Sequence, residues 1–195
     1  MATDEDLLAN YLAGDQAAFA ELVRRYQLEL FAFLQRFVSD AQVAEDLFQE
    51  TFIQVHRNVR TFDPARQFRP WVFTIAANKA RDYLRAAGRR GTQSLDNATA
   101  LDANTTFLDL LESDEPAPID DLTRAEDIRQ VQVALAELPE AYREVLLLSY
   151  FHRFAYRDIA EMLKVPLGTV KSRLHAALAQ FAKTYRRRFG RPMEN

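Results

Sequence analysis

The chain of 195 residues contains no cysteine, which excludes disulfides, thiolate metal sites and cysteine nucleophiles together. Histidine is scarce as well. His56, His152 and His175 lie far apart, and none belongs to a metal-ligand pair such as HExxH. Clustered carboxylates, or a nucleophile beside its base, are also missing, so an enzyme acting on nucleic acid is disfavoured and neither cofactor nor metal is expected. No stretch reaches the roughly 18 apolar residues needed to span a bilayer. The opening "MATDEDLLANYLAGD" is acidic and lacks the apolar run of a signal peptide. These absences predict a soluble, cytoplasmic protein that is not an enzyme and does not insert into membranes.

What is present is ordinary in bulk and uneven in place. Hydrophobic residues make up 48% and charged residues 27%, which suits one large or two small globular domains. The net charge of −3 is partitioned: residues 1–87 carry −2, residues 88–123 carry −6, and residues 124–195 carry +5. From Lys164 to Arg191 there are eight basic residues and no acidic one. A one-sign run of that length fits a polyanion partner, and a solvated C-terminal helix is the plainer reading.

Hydrophobic periodicity predicts helices almost throughout. "DLLANYLAGD" reads as a short amphipathic helix with Gly14 at its C-terminal cap. In the next segment Phe19, Leu22, Val23, Tyr26, Leu30, Phe33, Leu34 and Phe37 recur at helical intervals. Ser39 and Gln42 have capping-box spacing ahead of a helix with Leu47, Phe48, Thr51 and Val55 on one side. Two prolines interrupt "RTFDPARQFRPW", and a further helix runs over "WVFTIAANKARDYLRAAG" to Gly88. Residues 88–123 are small, polar and acidic without sustained period, the pattern of a linker, with the apolar patch "FLDLL" as a brief turn or docking point. Beyond it, Ile128, Val131, Leu135 and Leu138 form one stripe, followed by "EAYREVLLLSYF", the short "YRDIAEML", a connection "KVP" and a last helix. The expectation is an all-α protein: two small helical domains, 1–87 and 124–190, joined by a flexible acidic linker over 88–123.

The last helix opens with "VPLGTVKSRLHAAL". Pro166 suits a first turn, and Val170, Leu174, Ala177, Leu178 and Phe181 form a core stripe. The opposite side presents Gly168, Ser172, His175 and Ala179, flanked by Lys171 and Ala176, and has no carboxylate. Two short helices joined by a tight turn, the second polar and basic outside, match a helix-turn-helix whose second helix enters the major groove. Short donor-bearing side chains let the backbone approach base edges while lysine and arginine hold phosphates. A plain three-helix bundle would share the pattern. Upstream, Phe62, Phe68, Trp71, Phe73 and Tyr83 are interleaved with Arg66, Arg69, Lys79, Arg81 and Arg85, a mixture suited to single-stranded DNA. Trp71 taken alone fits a core position as well as a DNA contact.

Five blocks carry a resemblance: "GDQAAFAELVRRYQ", "AEDLFQETFIQVHR", "FRPWVFTIAANKARDYLR", "LPEAYREVLLLSY" and "YRDIAEMLKVPLGTVKSRL". In that order they resemble the bacterial sigma factors of the extracytoplasmic-function (ECF) group, and they cover both helical domains. The resemblance implies that residues 1–87 are sigma region 2 and 124–190 are sigma region 4. It implies core RNA polymerase as a partner, through its β′ clamp helices and β subunit, with Asp46, Gln49, Glu50 and Ile53 at that contact. It implies -10 promoter recognition and melting by Phe62, Arg69, Trp71, Asn78, Lys79 and Arg81, with Asn78 at a base turned out of the stack. An asparagine amide offers donor and acceptor to a base edge. It also implies -35 recognition by Gly168, Thr169, Lys171, Ser172, Arg173 and His175.

The family's linker threads the polymerase cleft; a passive tether of the same composition would read identically. With only a short tail after region 4 and no fused sensor, control is expected from a separate anti-sigma factor. Three positions depart from the family pattern. Arg153 and Ala155 stand where a glycine and a hydroxyl residue are common, and Ala176 where arginine is common. The competing reading is a two-domain helix-turn-helix regulator that binds duplex DNA without being a polymerase subunit. It predicts a sensing pocket at the N-terminus, where the sequence offers "EDLFQE" and "FRPWVFTIAANKARD".

Overall fold

The structure, a computed structural model, describes residues 2–63, 65–90 and 125–190, and every regular element among them is helical. The linker expected at 88–123 lies outside the described residues from position 91 onward. The chain divides into two compact units, residues 1–85 and 86–195.

In the first unit, α1 (Asp4–Leu12) is capped by Thr3. The Thr3 hydroxyl accepts from the Asp6 N–H at 3.1 Å, and the Asp6 carboxylate accepts from the Thr3 N–H at 2.9 Å. That reciprocal pair is a capping box, and it holds the Asp6 carboxyl below its ordinary pKa. Gly14, at φ +108°, turns the chain through a conformation that side chains rarely adopt. Asp15 then caps α2 (Gln16–Val38) by accepting from the Ala17 N–H at 2.9 Å.

The capping box expected of Ser39 and Gln42 does not form. Ser39 is the left-handed C-cap of α2, at φ +60°, so it cannot also take the extended conformation of an N-cap. Asp40 does so instead, accepting from the Gln42 and Val43 N–H groups at 2.9 and 3.1 Å to open α3 (Ala41–Asn58). After a 3₁₀ turn at Val59–Thr61, α4 spans Phe68–Arg90, longer than expected at both ends. Pro70 falls in its first turn, where no intrahelical N–H bond is lost, so the helix starts before the proline. Gly88 does not stop it. The core is aromatic: Phe33 of α2 meets Phe37 at 5.6 Å and Phe73 of α4 at 5.3 Å, all three fully buried. Burying each such ring stabilises the fold by about 1.5–3 kcal/mol.

In the second unit, α5 (Ala125–Ala136) and α6 (Glu140–Leu146) are joined across Pro139. Arg143 is buried, and its guanidinium donates to the carbonyls of Ala136 and Leu138 at 2.6 and 3.1 Å, closing the end of α5. Burial pulls its pKa below the usual arginine value. The single helix expected over "EAYREVLLLSYF" widens into a π-helical turn at Leu147–Phe151, where the His152 N–H reaches the Leu147 carbonyl at 3.1 Å. Val145 to Ser149 are all buried, so this segment is enclosed on every side. α7 (Tyr156–Leu163), the turn Lys164–Pro166 and α8 (Leu167–Phe189) complete the unit, with α8 packed on α5, α6 and α7.

The departures at Arg153 and Ala155 have visible structural consequences. Arg153 sits at φ +52°, and Ala155 caps α7 without any side-chain hydrogen bond. A non-glycine residue in left-handed backbone costs about 1–2 kcal/mol, and a missing hydroxyl cap about 1 kcal/mol. Ala155→Ser is therefore expected to raise the thermal midpoint of this unit by about 4–8 °C in calorimetry. Arg153→Gly should also raise it, by a smaller amount because glycine gains freedom in the unfolded chain.

Candidate polymerase and nucleic-acid interfaces

α3 turns its apolar side inward through Ala44, Leu47, Thr51, Phe52 and Val55, all buried. The helical period then places Asp46, Gln49, Glu50 and Ile53 outward, and all four are exposed, Ile53 at 49%. An exposed isoleucine set among carboxylate and amide groups gives this face both an apolar contact and a negative field.

The aromatic residues around the start of α4 form one cluster. Trp71 is half-buried, with Phe62 at 4.8 Å and buried Phe68 at 5.8 Å, and Tyr26 of α2 closes on Phe68 at 5.3 Å. Trp71 thus belongs to the edge of the core and remains partly accessible. Arg69 pairs with Glu29 of α2 and lies over the Phe73 ring at 5.3 Å. Asn78 is exposed two turns after Trp71 on the same side of α4, and its side-chain oxygen accepts from Arg81. Lys79 pairs with Glu50 at 2.9 Å, tying the basic side of α4 to the acidic face of α3. Such exposed pairs contribute about 0–1 kcal/mol, so a polyanion or a protein partner can displace them.

At the opening of α8, Val170, Leu174 and Ala177 are buried, while Gly168, Lys171 and Ser172 are exposed and Thr169, Arg173 and His175 are half-buried. The Ser172 hydroxyl donates to the Thr169 carbonyl at 3.1 Å. Pro166 supplies no side-chain cap, and no acidic residue stands in the first turn, so the positive end of the helix dipole is open. A Cβ built on Gly168 meets nothing within 4 Å, so the fold itself does not demand glycine there. α7 ends with Lys164 left-handed at φ +54° and the Val165 N–H on the Ala160 carbonyl at 3.0 Å, a Schellman-type closure that fixes the tight turn into α8. The far end of the basic run is engaged within its own unit, since Arg187 and Arg188 both pair with Glu137.

Comparison with known families places the chain as a whole. The family profile described as Sigma-70 region 2 matches residues 22–90, and that of Sigma-70, region 4 matches residues 128–181. The RNA polymerase sigma-H factor of Pseudomonas aeruginosa is 37% identical over 174 residues, 89% of either chain. The ECF RNA polymerase sigma factor SigW of Bacillus subtilis is 32% identical over 173 residues, 89% of this chain and 91% of the relative. The chain belongs to the ECF sigma factors of the sigma-70 family. The solved structure of CnrH, in complex with the cytosolic domain of CnrY, aligns with a TM-score of 0.65 at 26% identity over 92% of this chain and 95% of that one.

Within this sigma factor, region 2 holds Phe62, Arg69, Trp71, Asn78, Lys79 and Arg81 along α4 and the loop before it, and region 4 holds the six α8 residues on one short stretch. Sequence reasoning missed the carboxylates that hold the α4 residues: Glu29 on Arg69, Glu50 on Lys79, and Glu5 on the Phe68 N–H. Their partners lie 29 to 63 positions away, beyond any local pattern. No described helix is long and apolar enough to cross a membrane.

Proposed function

We propose that this chain works as the dissociable sigma subunit that carries core RNA polymerase to its promoters. The observation that carries the reading is the joint match to sigma regions 2 and 4, each presenting an exposed face of the chemistry its partner requires. Asp46, Gln49, Glu50 and Ile53 form the polymerase contact on the β′ clamp helices. Phe62, Trp71 and Asn78 take up bases of the opened -10 element, with Arg69, Lys79 and Arg81 on the phosphates. Gly168, Thr169, Lys171, Ser172, Arg173 and His175 read the -35 duplex. The functional limits are region 2 at 1–87, an acidic linker at 88–123 and region 4 at 124–190. The subunit lends specificity and carries no chemistry of its own. Its place of work is the cytoplasm, and its control falls to a separate anti-sigma factor. The duplex-binding regulator gains no support, because region 2 offers α3 and α4 faces where that reading needs a sensing pocket.

The test is transcription by core polymerase with this chain on a randomised promoter library, which is expected to yield a defined -10 and -35 pair. Asn78→Ala should change the preferred -10 base by roughly 1–3 kcal/mol at one position, since base contacts specify and phosphate contacts position. A uniform loss over all promoters would make Asn78 structural.

A further inference from the structure

The first turn of α4 carries Trp71 and sets the direction of the helix that bears Asn78, Lys79 and Arg81, and that turn is held from outside. The backbone N–H of Phe68, at the first position of the helix, donates to the Glu5 carboxylate at 2.9 Å in a partly buried contact. Glu5 lies in α1, 63 residues earlier. Its neighbour Asp4 accepts from Arg25 at 2.8 Å and from the Tyr26 hydroxyl. Burial, and then the bond to Asp4, push the Tyr26 phenol well above its usual pKa. The Tyr26 ring in turn packs edge-on against Phe68 at 5.3 Å. α1 therefore grips both α2 and the opening of α4 through two adjacent carboxylates.

A helix start has four orphan N–H groups, and a carboxylate there satisfies a donor and meets the positive end of the dipole. Such a cap normally comes from the residue just before the helix. In α4 it comes from a different helix, so the contact fixes where the α4 start sits as well as whether it is satisfied. We infer that Glu5 is a positioning residue for -10 recognition: a cap supplied by α1 that sets the α4 start, and with it Phe62 and Trp71, for unpaired promoter bases. The inference rests on the assignment of the Phe62–Trp71 cluster to the -10 element.

The test uses the full chain and its holoenzyme with core polymerase. Three quantities are read for wild type, Glu5→Ala and Glu5→Gln: affinity for a single-stranded -10 oligonucleotide, affinity for core polymerase, and thermal midpoint. Glu5→Ala is expected to weaken oligonucleotide binding about five- to tenfold and leave core affinity within twofold. Glu5→Gln keeps an acceptor oxygen and should recover most of the loss. Unchanged oligonucleotide binding in Glu5→Ala overturns the inference, as does a loss that core affinity and thermal midpoint follow in proportion. If instead the wild-type holoenzyme ignores the -10 oligonucleotide, it is the assignment of the cluster that fails.

Discussion

Reversing charge at Asp46 and Glu50 together is expected to weaken assembly with core polymerase by roughly a hundredfold, the scale on which charge pairs at an interface act. Both side chains are exposed on α3, opposite the buried Leu47, Thr51 and Val55, so the fold does not depend on them for packing. One internal contact complicates the double variant. Glu50 pairs with Lys79, and a lysine at position 50 would face an ammonium 29 residues away in sequence. The Glu50 side chain is 57% exposed, so the lost pair costs no more than about 1 kcal/mol. Adding Lys79→Glu restores an ion pair of opposite polarity. If the hundredfold loss persists in the triple variant, titrated against core polymerase by fluorescence anisotropy, it belongs to the interface. Recovery in the triple variant would place the defect in local structure, and normal assembly of the double variant would move the polymerase contact off α3.

The Glu50–Lys79 pair also marks where sequence reasoning ends. Elements written in a local period were legible: the Leu22-to-Phe37 stripe of α2, the three-residue connection before α8, and the buried Val170, Leu174 and Ala177 all follow from spacing of 3.6. Choices between adjacent residues were harder. Ser39 and Asp40 are both good caps, and only the left-handed backbone at Ser39 decides which helix end each one serves. The π-helical turn at Leu147–Phe151 leaves no trace in a sequence that is apolar all round. Trp71 was ambiguous between core and surface because its burial is intermediate: it leans on Phe62 and Phe68 while staying partly open. Carboxylates that hold basic side chains from a distance, such as Glu29 on Arg69, appear only when the chain is folded.

Replacing Lys171, Ser172, Arg173 and His175 by alanine together is expected to lower affinity for the -35 duplex by more than about a hundredfold, with unequal shares. Ser172 is exposed at the centre of the outer face, and its hydroxyl, now donating to the Thr169 carbonyl, keeps an oxygen able to accept from a base edge. Ser172→Ala or His175→Ala should alter preference by roughly 1–3 kcal/mol at particular base pairs. Lys171 and Arg173 flank that centre and in the proposed reading hold the phosphates, so Arg173→Ala should weaken all sequences alike and lower the salt slope by about one. Gly168 separates DNA contact from helix stability. A methyl group there meets nothing in the protein, so Gly168→Ala should stabilise the fold by about 0.4–1 kcal/mol. If the backbone of the first turn lies against DNA, the same methyl group obstructs that approach and duplex affinity falls while the thermal midpoint rises. The measurement is binding of the full chain to wild-type and single-base-variant duplexes over a salt series, with calorimetry on each variant. A Gly168→Ala chain that is more stable and binds the duplex unchanged would remove the first turn from the groove. An Arg173→Ala chain with altered sequence preference and an unaltered salt slope would reverse the roles given to these side chains.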